Sequence, residues 1–286
     1  MNLRLLVYLL ALGCISYPAT TVLAQDEHEI DSLNQRLTTE ISDRQRVDIY
    51  NRLARIQYTD SLVVATNSEK ALQLAQKINY PEGISDAYYN LGLSAFYTAD
   101  DQQAAAWYTK ALQTAQEASY RNGQAKACFE LGRIYREQGQ FSEAHEYYSR
   151  ALEIYTELGN KIREAVTIWF IGITYERQGD YPEALDQYHE AFARFSTLSV
   201  EPYYFADLHV DLGNVYSRQA RYPEAVDHYL SALGIYEQLG DKDGKAGVYN
   251  SIGVVFYEQK NYDQALNYYQ ESLKLDLELG DKRWIA

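Results

Sequence analysis

Proline is scarce in this chain, 5 of 286 residues, and cysteine is scarcer, with Cys14 and Cys128 the only two. Few prolines leave long stretches free to be helical, because proline breaks the helical hydrogen-bond ladder. Two cysteines cannot make a disulfide-built scaffold, and one of them lies in an expected leader. Cys128 then reads as a small buried hydrophobe. Basic residues are also in deficit: 26 Lys and Arg against 40 Asp and Glu, a net charge of -14. That balance disfavours nucleic acid, which is bound by clustered cations, so no nucleic-acid partner is expected, and it disfavours an anionic membrane. No apolar run reaches the ~20 residues of an ordinary transmembrane helix.

Catalytic signatures are missing as well. There is no Gly-x-x-x-x-Gly-Lys phosphate loop and no Gly-x-Ser-x-Gly elbow. His145-Glu146 and His189-Glu190 begin like a zinc-protease helix, but Ser149 and Ala193 stand where its second histidine is required. His28, His209 and His228 have no cysteine or histidine at ligand spacing. No catalytic residue, metal ligand, cofactor or enzymatic activity is expected.

What the chain does have is a ruler. Gly92, Gly132, Gly172, Gly213 and Gly253 fall 40, 40, 41 and 40 residues apart. Three residues beyond them stand Ala95, Tyr135, Tyr175, Tyr216 and Phe256. Twelve beyond is always alanine: Ala104, Ala144, Ala184, Ala225 and Ala265. Sixteen beyond is always tyrosine: Tyr108, Tyr148, Tyr188, Tyr229 and Tyr269. Fixed-period self-similarity of this kind marks a solenoid. Ala144, Tyr148, Ala151, Leu152 and Tyr155 share one helical face, and short polar segments such as Gln138-Gly139-Gln140 separate two helices per unit. A helical glycine costs roughly 1 kcal/mol relative to alanine, so its recurrence implies close helix crossing, with Gly132 opposite Ala144 and Tyr135 beside Tyr148.

On these residues the chain resembles the tetratricopeptide repeat family, over about 45 to 286. The resemblance implies an all-α, right-handed superhelical solenoid of antiparallel helix pairs. The usual unit is ~34 residues, whereas here it is 40, as in the long-helix variety of bacterial signalling proteins. The extra length is assigned to linkers such as Leu158-Gly159-Asn160-Lys161. By the same resemblance the first helix of each pair lines a concave groove, through positions three before, one after and four after the glycine. These are Tyr89, Leu93 and Phe96; Phe129, Arg133 and Arg136; Trp169, Ile173 and Glu176; Val210, Asn214 and Ser217; and Asn250, Val254 and Tyr257. Tyr89, Phe129 and Trp169 beside Arg133 and Arg136 suggest an apolar groove with a cationic spot for a peptide. Packing of the same residues between repeats is the alternative.

The expected organisation is a signal peptide at 1–24, a partly helical segment at 25–44 and a degenerate first repeat at 45–84. Full repeats follow at 85–124, 125–164, 165–205, 206–245 and 246–285. Arg4, the apolar run Leu5 to Ile15 and Val22-Leu23-Ala24 have the form of a cleavable export signal, which implies a periplasmic or extracellular location. An uncleaved anchor and lipidation at Cys14 remain alternatives. Ala125, Ala165, Ala206 and Ala246 each open a first helix, so Ala286 reads as the start of a further repeat. The linker Leu198 to Pro202 carries the one extra residue; it is either an inert loop or a local change of superhelical curvature, and it is the expected joint. Two functions follow: a non-catalytic scaffold holding a protein or peptide segment, or the extracytoplasmic sensor region of a larger bacterial signalling enzyme, a histidine kinase or nucleotide cyclase. Membrane contact is expected only through lipidated Cys14 or a span beyond the sequence.

Overall fold

The structure is a computed structural model that describes residues 19–58 and 60–280, with side chains from Glu27 onward. Most of the expected leader, Cys14 and Ala286 lie outside the described residues. The described chain holds thirteen α-helices and no strand: α1 (Ala19–Leu37), α2 (Asp43–Ile56), α3 (Ser61–Lys77), α4 (Pro81–Tyr97), α5 (Asp101–Glu117), α6 (Arg121–Glu137), α7 (Phe141–Glu157), α8 (Lys161–Gln178), α9 (Tyr181–Ser196), α10 (Tyr203–Arg218), α11 (Tyr222–Leu239), α12 (Lys242–Glu258) and α13 (Tyr262–Leu279). Two compact units are formed, Ala19–Phe170 and Ile171 onward. The division falls within α8; the linker Leu198 to Pro202, expected as the joint, lies inside the second unit.

In the first unit α2 pairs with α3, α4 with α5 and α6 with α7; in the second, α10 pairs with α11 and α12 with α13. The reason is written at the glycines. A methyl group added at Gly92, Gly132, Gly172, Gly213 or Gly253 would lie 2.5–2.8 Å from a ring carbon of Tyr108, Tyr148, Tyr188, Tyr229 or Tyr269 respectively. The glycine thus admits the face of the tyrosine sixteen residues on, and the alanines at position twelve are 0–2% exposed beside it. Tyr135 does not fill this crossing. Its ring stacks on Tyr147 at 5.3 Å, since the glycine lets Tyr148 occupy the space itself.

The added length of the repeat sits in the helices, not in the linkers. Most helices run 16–18 residues, and the turns between helices are two to four residues long except at 38–42 and 197–202. First helices begin at Arg121, Lys161, Tyr203 and Lys242, three or four residues before the alanines expected to open them. For Lys161 and Lys242 the cause is Asn160 and Asp241, whose side chains accept from Arg163 N–H at 3.1 Å and Gly244 N–H at 3.0 Å and start the helix early. Each regular turn places one residue at positive φ, a position held by Gly139 and Gly179 but also by Ala99, Ala220 and Lys260. Only some of these turns therefore advertise themselves with glycine.

Over the expected degenerate repeat at 45–84 the chain forms α2 and α3, sealed by Val47, Ala71, Ala75 and Ala87. At the other end, α13 leaves Leu266, Leu273 and Leu277 exposed at 56, 42 and 55%. The residues in register with Leu273 are covered instead: Leu112 is 6% exposed, and Phe192 packs on Phe205 of α10.

Candidate functional site

The first-helix face is built differently in the two units. In the first, Tyr89, Leu93, Phe96, Phe129, Arg133, Arg136 and Trp169 are only 0–5% exposed. This corrects the expected cationic spot. Arg133 makes a 2.7 Å ion pair with Glu130, to which the Tyr89 hydroxyl also donates at 3.2 Å. The Arg133 guanidinium lies 4.5 Å over the Phe96 ring, and Arg136 lies 5.1 Å over Phe170. Each arginine is thus held against its aromatic neighbour, and a peptide could reach them only by displacing those contacts. The physical cause is crowding: bulky side chains at the groove positions of adjacent first helices interdigitate and exclude water.

In the second unit the same positions stay partly open. Ile173, Glu176, Val210, Asn214 and Ser217 are half-buried, and Asn250 is exposed. Val254 and Tyr257 are 41% and 55% exposed. The polar members also serve the repeat. Tyr188 donates to Glu176 Oε2 at 2.7 Å, and Tyr229 donates to Asn214 Oδ1 at 2.8 Å. Arg218 reaches Glu176 at 3.4 Å. Burial raises the Glu176 carboxyl, opposed by Tyr188 and Arg218.

In the first unit those acceptor positions are Leu93, Phe96, Arg133 and Arg136, which offer no lone pair. Accordingly the hydroxyls of Tyr108 and Tyr148 are buried with no hydrogen-bond partner. Burial pushes the Tyr148 hydroxyl up to about 12.

Three clusters escaped the sequence reading. The first joins repeats in the first unit: Asp86 pairs with Lys126, lies 3.9 Å from Arg55 and accepts from the Tyr120 hydroxyl at 3.4 Å. Burial works to raise Asp86, but Lys126 and Arg55 outweigh it and hold the carboxyl below its usual value. Burial pushes Lys126 down to about 8, with Asp86 opposing. The second is Asp207, whose Oδ1 accepts from the Tyr236 hydroxyl while its Oδ2 is buried without a partner. Burial drives this carboxyl up to about 7, with the nearby charge of Asp241 adding to the shift and the Tyr236 hydrogen bond opposing it. The third is His209 on α10 and His228 on α11, with Nδ1 atoms 2.9 Å apart, so one ring donates and the other accepts. Tyr216 stacks on His228 at 5.2 Å, and Phe192 meets His209 edge-on at 5.3 Å. Burial lowers His209 to about 4 and lowers His228 as well. Among the described residues no group of three or more ligands could hold a metal.

A signal for two of the clusters did exist. Six before the ruler glycine stand Asp86, Lys126, Val166, Asp207 and Gly247. Reading charges down that column, repeat against repeat, would have found both carboxylates. Cys128 is fully buried, and burial pushes its thiol up to about 11. No helix among the described residues is long and apolar enough to cross a membrane.

A family profile described as tetratricopeptide repeat matches residues 83–157, 124–197 and 204–278. Among solved structures, the chain is similar to NprR in complex with its cognate peptide NprX: 15% identity, 96% of this chain and 77% of that one covered, TM-score 0.65. A Rap protein complexed with competence and sporulation factor is 18% identical, with 97% and 76% covered and a TM-score of 0.67. A signal transduction ATPase with a tetratricopeptide repeat sensor from Pyrococcus horikoshii is 16% identical, with 92% and 42% covered and a TM-score of 0.68. No curated protein matches the sequence.

Proposed function

Because the chain belongs to the tetratricopeptide repeat family, we propose that it is a non-catalytic scaffold that holds a protein or peptide segment on the first-helix face of its second unit. The observation carrying this reading is the contrast in exposure between repeats that each have a following neighbour: Ile173, Glu176, Val210, Asn214 and Ser217 are half-buried, against 0–5% exposure at the matching positions of the first two full repeats. Ile173, Val210, Val254 and Tyr257 supply apolar contact, while Glu176, Asn214 and Asn250 supply hydrogen-bonding groups. Two structures of similar fold are complexes, one with a cognate peptide and one with competence and sporulation factor, which supports a protein or peptide partner. The test is a pull-down with the array followed by alanine substitution at Val254 and Tyr257. Loss of capture with unchanged helicity supports the reading, and undiminished capture contradicts it.

A second reading makes the array the sensor region of a larger signalling protein, as the name of the P. horikoshii relative describes for its own repeats. Sequencing the reading frame past residue 286 tests it: a membrane span and a signalling domain support it, and an immediate stop codon contradicts it. We also propose export with cleavage after Ala24. Recovery of a mature form starting at Gln25 outside the cytoplasm supports export, and a cytoplasmic chain retaining Met1 contradicts it.

A further inference from the structure

The repeat lets one unit serve as the template for reading the other. In the first unit the carboxylate six before the glycine, Asp86, is neutralised from both sides: by Arg55 of the repeat before and Lys126 of the repeat after. In the second unit the corresponding carboxylate is Asp207. The residue in register with Arg55 is Tyr175, and the residue in register with Lys126 is Gly247. Both cations are gone, and no lysine or arginine pairs with Asp207 among the described residues. At the register position of Tyr120, which donates to Asp86, stands Asp241, a further negative charge.

The consequences are visible in the structure. Asp207 Oδ1 is satisfied by the Tyr236 hydroxyl, yet its Oδ2 is buried and accepts nothing. A buried acceptor left unpaired is destabilising because it has lost its water without replacing it, so a fold that retains one invites a partner for it. Gly247 provides the room: it is exposed, and a methyl built on it would meet nothing within 4 Å. Helical register puts Asp207 on the same face of α10 as Val210 and Asn214, and Gly247 on the same face of α12 as Asn250 and Val254.

We propose that the notch between Asp207 and Gly247 is a binding site for a primary ammonium, contributed by a lysine side chain of the partner segment, which docks where Lys126 docks in the first unit. Lys126 shows the chemistry required: its ammonium meets the Asp86 carboxylate and lies 5.1 Å over the Tyr89 ring and 5.7 Å over the Tyr120 ring. In the second unit Val210 stands at the register position of Tyr89, so the site selects by charge and hydrogen bonding more than by stacking. The inference deepens the proposed scaffold function by naming a chemical group of the partner, but its test needs no knowledge of the partner.

The experiment uses the full array and two probes, the peptide acetyl-Gly-Ala-Lys-Ala-Gly-amide and n-butylamine, followed by the amide NMR signals of Asp207 and Gly247. Saturable shifts with the peptide at millimolar concentration are expected, weakened about tenfold or more in Asp207→Asn and abolished in Gly247→Lys, which supplies the ammonium from within. Gly247→Lys should also melt higher than the native chain, which guards against a folding artefact. If n-butylamine reproduces the shifts, the ammonium alone is recognised; if only the peptide does, recognition extends to the flanking backbone. Both support the site. No shift with either probe at ~20 mM, or equal shifts in native protein and Gly247→Lys, overturns it. Undiminished capture of a partner by Gly247→Lys would remove this site and leave the scaffold reading standing.

Discussion

The two units of this chain use one repeat to opposite ends. At each ruler position the scaffold residues agree: glycine faces tyrosine, and alanine fills the crossing. The first-helix face differs. In the first unit it is closed by Phe96, Phe129, Trp169 and the Glu130–Arg133 pair. In the second it is open, lined by residues of mixed polarity, and contains a carboxylate without a cation. The difference teaches that the repeat specifies how helices pair, whereas four or five variable columns decide whether adjacent repeats close over the face or leave it accessible.

The largest expected effect breaks the closed side. Glu130→Ala leaves the Arg133 guanidinium buried with its carboxylate gone, and should cost about 3–5 kcal/mol in chemical denaturation. Glu176→Ala in the second unit should cost far less, because its ionic partner Arg218 is 60% exposed. Equal losses would erase the distinction between the faces.

Next come the glycines. Gly132→Ala drives a methyl to 2.8 Å from the fully buried Tyr148 ring, so a destabilisation of about 1–3 kcal/mol is expected. Gly253→Ala should be milder, since Tyr269 is only half-buried and can yield. Gly234→Ala, with nothing within 4 Å, should stabilise α11 by about 0.5–1 kcal/mol through helix propensity. Thermal melts of the three variants give the order directly.

The tyrosine hydroxyls sharpen the contrast. Tyr148→Phe removes a buried hydroxyl that has no partner and should be neutral or stabilising, whereas Tyr188→Phe and Tyr229→Phe each lose a hydrogen bond and should cost about 0.5–1.5 kcal/mol. Urea titrations of the three variants decide it.

The smallest and most specific effect is on pH dependence in the second unit. Asp207 titrates near 7 when folded, above its ordinary 3.8, so its stabilising contribution is full below about 4 and is lost as pH rises toward 7. His209 titrates near 4, below its ordinary 6.5, so its contribution is full above about 6.5 and is lost as pH falls toward 4. The two oppose each other in the native chain. Asp207→Asn should therefore steepen the acid destabilisation and His209→Gln should flatten it, as read from melting temperature between pH 4 and 7.

The pairing of helices was legible because it is repeated: five glycine–tyrosine pairs at sixteen residues leave little freedom. Helix starts were less legible, because the caps vary among Tyr120, Asn160, Pro202 and Asp241, and only Asn160 and Asp241 bear a capping side chain that acts. The openness of the face was not legible position by position. Arg133 alone looks like a docking cation, and only the contact with Glu130 three residues before it, together with Phe96 one repeat earlier, turns it into interior. Likewise His209 and His228, nineteen residues apart, meet only because α10 and α11 pack as a pair.

Hydroxyl-radical footprinting of side chains tests the central contrast most directly, since it reads the exposure of both faces in one sample. Val254 and Tyr257 should oxidise readily, while Tyr89, Phe96 and Phe129 stay protected until the chain unfolds. Comparable oxidation of the two sets in the folded protein would contradict the account.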